Sequence, residues 1–164
     1  MLCWIFRYFP RLRRGKCTEI TKEGYSMTDQ ELVARAIEME QFSYVPYSRF
    51  RVGAALLAEN GTVYTGCNIE NAAYGPTNCA ERTALFKAVS EGVTEFEAIA
   101  IVGSLEGQVN TLVTGPCGVC RQALYEFGGL GLVVIMAKSE TDYIETTLGE
   151  LLPYGFGPAN LEKG

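Results

Sequence analysis

Apolar and polar positions change period several times along the chain, and each change marks an element. Thr28-Asp29-Gln30-Glu31 has the form of a capping box, with Thr28 at the N-cap and Glu31 at the third helical position. Leu32, Val33, Ala36, Ile37 and Phe42 follow at helical spacing. This predicts a helix ending near Tyr44, ahead of Pro46. Phe50 to Ala58 is rich in apolar and small residues and reads as a strand. An Asn60-Gly61 turn and a second strand from Val63 complete a β-hairpin. Asn68 to Asn78 is polar, contains Gly and Pro, and reads as a loop.

Ala84, Leu85, Ala88 and Val89 share one face of a helix expected over Cys79–Gly92. Phe96–Gly103 has the continuous apolar character of a buried strand, and Gly107–Gly115 is a further strand or a loop. A helix over Cys117–Phe127 is stopped by Gly128-Gly129, and Leu132–Ala137 forms a third apolar strand. Leu148, Leu151 and Leu152 suggest a short helix broken by Pro153. The order is helix, hairpin, helix, strand, helix, strand. It implies an α/β fold of three α-β-α layers around a mixed central sheet.

The chain has 164 residues, enough for one domain with a real core. No stretch approaches the ~20 apolar residues of a membrane-spanning helix. Charge divides the chain in two. Residues 1–26 hold six Lys and Arg against two acids, so they carry +4 of a total of −5, and residues 27–164 carry −9. The first 26 residues form a basic extension, expected to be dispensable or disordered. Its apolar run precedes its charges, the reverse of a secretory signal. The expected location is therefore the cytoplasm, where thiols stay reduced. The acidic remainder repels nucleic acid backbones and favours a neutral small molecule.

Histidine is absent from the sequence. That excludes a Ser-His-Asp triad, a Cys-His pair, an imidazole base and His-ligated zinc. Acid-base chemistry falls to carboxylates, cysteines, lysines or tyrosines. Six cysteines make sulfur the place to look. Cys79-Ala80-Glu81 opens one helix and Pro116-Cys117-Gly118-Val119-Cys120 opens another. Cys117 and Cys120 share a helix face. A helix N-terminus favours thiolate over thiol. Three thiolates on zinc leave a fourth tetrahedral position for water, the arrangement of a catalytic site. Glu81 would sit beside that position as a proton carrier, and Arg82 or Arg121 would offset the excess negative charge.

Other readings exist for each residue. Cys117 and Cys120 also fit a redox pair, or half of a structural zinc site with Cys79 and Cys67. Asn78-x-x-Glu81 also has the form of a capping box.

These motifs resemble the small zinc cytidine deaminases. The resemblance runs from about Met27 to Leu161. It rests on Tyr47–Leu56, on Gly66-Cys67-Asn68-Ile69-Glu70-Asn71-Ala72, on both cysteine motifs with the following Arg121-Gln122, and on the Leu151–Pro158 end. It implies one zinc per subunit on Cys79, Cys117 and Cys120, with Glu81 as proton shuttle. It implies that Asn68 and Glu70 bond the ribose hydroxyls, that Phe50 packs near the pyrimidine, and that Ala80 is also a substrate-binding residue. Phe156 would reach a neighbouring subunit's pocket in a homotetramer. Arg82 and Gln122 would support the ligands from behind. The implied reaction removes the C4 amino group of cytidine or deoxycytidine by hydrolysis, in pyrimidine salvage. The alternatives are an aminonucleoside antibiotic of the blasticidin type as substrate, or a structural zinc module. Arg49 and Arg51 stand where the family often has other residues, and charge in the pocket would weigh against a nucleoside.

Overall fold

The computed structural model describes residues 13–14, 19–22 and 25–161. Its main sheet has the strand order β1-β8-β7-β6-β4-β5. The strands are β1 (Arg13–Arg14), β4 (Phe50–Ala58), β5 (Val63–Cys67), β6 (Phe96–Leu105), β7 (Val133–Ser139) and β8 (Asp142–Thr147). The helices are α1 (Asp29–Glu40), α2 (Ala80–Ser90), α3 (Gly118–Gly128) and α4 (Leu148–Leu151). A separate two-stranded ribbon pairs β2 (Glu19–Lys22) with β3 (Tyr25–Thr28). The sheet is mixed: β6 and β7 run parallel, and the other neighbours are antiparallel.

Alternation along the strands builds the three layers. Ala54, Leu56, Ile99, Ile101 and Val134 point to one face, where Ala84, Leu85 and Ala88 of α2 and Leu124 of α3 cover them. Ala55, Leu57, Ala98, Ala100, Val102 and Ile135 point to the other, where Leu32, Val33 and Ala36 of α1 cover them. α2 comes unusually close to β5. A Cβ on Gly66 would lie 2.5 Å from the Ala80 carbonyl oxygen and 2.6 Å from the Ala84 nitrogen. Only glycine fits there, so this contact fixes the start of α2 relative to the sheet.

Thr28 caps α1 through the expected box: its hydroxyl accepts the Glu31 N–H, and the Glu31 carboxylate accepts the Thr28 N–H at 2.8 Å. The helix ends at Glu40 rather than near Tyr44. Phe42 and Ser43 turn back to the Met39 and Glu40 carbonyls, and Tyr44 leaves to form a bridge with Ile69. Gly107–Gly115 is a loop. The sequence reading has no counterpart of β8, whose Asp-Tyr-Ile-Glu-Thr-Thr lacks an apolar run. Residues 13–14 pair with β8, and residues 19–22 pair in the ribbon; most of the segment 1–26, expected to be dispensable or disordered, lies outside the described residues.

Candidate active site

Two helix starts on one side of the sheet bring three sulfurs together. Cys79 is the N-cap of α2 and Cys117 the N-cap of α3, and neither side chain caps its own helix. Their thiols are left for each other. Sγ of Cys79 lies 3.8 Å from Sγ of Cys117, and Sγ of Cys117 lies 3.5 Å from Sγ of Cys120. All three fall within 4.8 Å of one another. Tetrahedral thiolates, each about 2.3 Å from zinc, stand ~3.8 Å apart. The triangle therefore fits that ion in both spacing and donor chemistry. Cys120 is buried, Cys79 half-buried and Cys117 exposed, so one side of the triangle opens to solvent.

Electrostatics distinguishes the sulfurs. Hydrogen bonds from Cys120 and from the Arg82 guanidinium bring the Cys79 thiol down to about 5. The Cys120 thiol is pushed up, because it donates to Cys79 and lies buried beside Glu81. Arg82 Nη2 reaches Cys79 Sγ at 3.7 Å and the Thr77 carbonyl at 3.3 Å. A positive charge thus supports the thiolate from behind. Arg121 does not share this task. Its Nε and Nη1 donate to the Pro116 and Leu151 carbonyls, each at 2.7 Å.

Glu81 sits in the first turn of α2 and is only 3% exposed. Burial pushes its carboxyl up to about 7, and the neighbouring Cys79 thiolate adds to the rise. A carboxyl held near neutrality can both take and give a proton. The capping-box reading of this residue fails, because the N-cap is Cys79. Asn78 instead donates its side-chain amide to Thr83 Oγ1 at 3.1 Å. Thr83 in turn donates to the Cys67 and Cys79 carbonyls, tying β5 to the start of α2. The sequence reading misses Thr83, since a helical threonine carries no signal of its own.

Asn68 and Glu70 both attach to the segment that carries Phe50. Asn68 Oδ1 accepts the Val52 N–H at 2.9 Å, and its Nδ2 donates to the Phe50 carbonyl at 2.9 Å. Glu70 Oε2 accepts the N–H groups of Tyr47 and Ser48, at 2.9 and 3.2 Å. The Ser48 hydroxyl and these amides lower its pKa. Phe50 is half-buried over Gly103 and Thr114. Ala80 buries its side chain in the core as the first residue of α2. Its N–H is one of the donors that a helix start leaves unused within the helix.

Cys67 takes no part in the triangle. It is buried, and its thiol donates to the Phe42 carbonyl at 3.3 Å. Arg51 lies on the opposite face of β4 from Val52, where it pairs with Glu106 and faces Glu40 of α1. Its charge therefore points away from the thiol side of the sheet. Phe156 lies beyond α4 and is 59% exposed, and its carbonyl accepts the Gln122 side-chain amide at 2.7 Å. Gln122 thus holds a backbone carbonyl rather than a thiol.

Residues 26–137 match the family model described as the cytidine and deoxycytidylate deaminase zinc-binding region. The chain is 50% identical over 135 residues to a cytidine deaminase of Sporosarcina psychrophila, covering 82% of this chain and 96% of that one. It is 49% identical over 130 residues to a cytidine deaminase of Halalkalibacterium halodurans, covering 79% and 95%. Among solved structures it resembles the cytidine deaminase of Burkholderia pseudomallei. The TM-score is 0.72 and the identity 45%, over 79% of this chain and all of that one.

Proposed function

Because the chain belongs to the cytidine and deoxycytidylate deaminase family, we propose that Cys79, Cys117, Cys120 and Glu81 are the working parts of its hydrolytic site. The chain is a zinc-dependent hydrolase that deaminates cytidine. The observation that carries the residue assignment is the thiol triangle with the buried Glu81 beside it.

Zinc held by the three thiolates supplies a Lewis acid that brings the pKa of a water to about 7. Glu81 takes a proton from the attacking water and delivers it to N3 of the cytosine. The same carboxylate then takes the remaining proton from the oxygen added at C4 and passes it to the departing amine. Cytidine and water become uridine and ammonia, and deoxycytidine becomes deoxyuridine. Cys120 and then Arg82 favour the ionised form of Cys79. Asn68 and Glu70 bond the ribose hydroxyls while shaping the strand that carries Phe50. Phe50 and the Ala80 backbone contact the pyrimidine.

A homotetramer accounts for the aromatic side chains left on the surface of a single chain. Phe42, Tyr44, Tyr47, Tyr74, Phe86 and Phe156 are each at least half exposed. Tyr47 and Tyr74 stand edge to face with ring centres 6.3 Å apart, and exposed apolar surface of this kind suits an interaction face. In that assembly Phe156 enters a neighbouring subunit's pocket. The three reduced thiols suit a cytoplasmic enzyme of pyrimidine salvage. Residues 27–164 form the catalytic domain, and residues 1–26 are dispensable for turnover. The net −9 of residues 27–164 disfavours nucleic acid as a partner. Among the described residues no helix is long and apolar enough to cross a membrane. The aminonucleoside-antibiotic reading loses ground to relatives named cytidine deaminase. The structural-zinc reading loses its fourth ligand to the Phe42 carbonyl.

The test is ultraviolet absorbance of the full chain with cytidine, with and without a zinc chelator. A shift to the uridine spectrum that the chelator abolishes supports the assignment. Zinc at one per chain without any shift contradicts it.

A further inference from the structure

The side chains of α3 that follow Cys120 hold the C-terminal segment at several points. Arg121 joins the Pro116 carbonyl to the Leu151 carbonyl, at 2.7 Å each. Gln122 donates to the Phe156 carbonyl at 2.7 Å. The Tyr125 ring packs closely on Gly157, where a Cβ would fall 2.4 Å from the ring's Cε1. Gly157 is buried while its neighbour Phe156 is exposed. The backbone is therefore gripped and the phenyl ring presented. Between the grips, Tyr154 adopts a φ of 58°, an uncommon conformation for a bulky residue.

The geometry points to Arg121, Gln122 and Tyr125 as positioning residues that clamp segment 151–157 to the zinc-ligand helix and so fix where Phe156 is delivered. Arg121 works at both ends. One arm braces the turn before Cys117, and the other holds the end of α4. The ligand turn and the Phe156 arm are thereby built on one helix, and the Arg121 and Gln122 bonds go to backbone carbonyls. The inference rests on the reading of Phe156 as a substrate contact, and it adds what places that contact.

The test uses Gln122→Ala and Gly157→Ala in the full chain with zinc bound, beside Phe156→Ala. Gln122 bonds the segment at Phe156 and Gly157 packs on Tyr125, whereas Arg121 also braces the Cys117 turn. Gln122→Ala removes the donor, and Gly157→Ala drives a methyl into Tyr125. Both should raise KM for cytidine about five- to tenfold, which for Gln122→Ala is the size of one lost hydrogen bond. Both should leave kcat within about twofold, at one zinc per chain. Amide exchange at Gly155 and Gly157 should quicken while α3 stays protected. A structural role alone would quicken exchange without moving KM. That result, beside a raised KM in Phe156→Ala, overturns the clamp and leaves the Phe156 reading standing. An unchanged KM in Phe156→Ala overturns both. Should Gln122→Ala lower zinc content, the KM of Gly157→Ala decides.

Discussion

The side-chain amide of Asn68 closes on the Phe50 carbonyl at 2.9 Å, while its other end accepts the Val52 N–H. One residue of the loop after β5 thereby sets the backbone at the start of β4. Asn68→Ala removes both bonds and leaves a partly buried N–H and C=O short of partners. The expected loss of stability is about 1–3 kcal/mol. KM for cytidine should rise, because Phe50 loses its anchor. Denaturant unfolding and initial rates check this. Asn68→Asp keeps the acceptor but cannot donate to the carbonyl, and should show part of both effects.

Gly66 holds α2 against β5 with no space for a methyl. The atoms a Cβ would strike are backbone, so the helix itself must shift. Gly66→Ala should cost about 1–3 kcal/mol. It should also weaken zinc retention, since Cys79 and Glu81 move with the helix start. Thermal melting and zinc content after dialysis test the linkage. An unchanged midpoint with full zinc would contradict it.

Glu40 ends α1 in a half-buried position with no basic residue in the last turn. Burial raises its pKa, and bonds from Ser104 and Asn110 and the charge of Arg51 only partly oppose the rise. Arg51 is itself shared with Glu106. The folded state therefore binds this proton more tightly than the unfolded state. Its contribution to stability is present below the ordinary glutamate pKa of about 4.3 and is lost as pH rises through the folded value. Glu40→Gln keeps an acceptor for Ser104 and removes the titration. Its stability should gain on the parent as pH is raised from about 4 to 7. Urea unfolding across that range reads the difference. A gap that moves in the parent's favour would reverse the sign of the argument.

Much of this architecture was legible because local signals and tertiary packing agree. The Thr28–Glu31 box starts α1, and the predicted bounds of β4 match the observed strand, whose two faces are both covered. The cysteine motifs were readable because Cys117 and Cys120 stand three apart at one helix start and Cys79 opens another. β8 was hidden, since Glu145 and Thr147 give it no apolar rhythm. Arg121 shows a different limit. Its sequence neighbours suggested a role near the sulfurs, yet its two bonds go to carbonyls 35 positions apart in the chain, at 116 and 151. Such a bridge exists only once the fold is closed. Gln122 and Phe156 are legible one at a time, but their pairing is not.

The account turns on Glu81, the buried carboxyl in the first turn of α2 beside the thiol triangle. The most direct measurement is cytidine turnover by Glu81→Gln, followed by absorbance, with zinc measured on the same sample. Glutamine keeps the size and burial of the side chain but can neither take nor return a proton. The account predicts one zinc per chain, an unchanged fold, and kcat lower by roughly 10²–10⁴. Turnover close to that of the parent, with zinc in place, would contradict it.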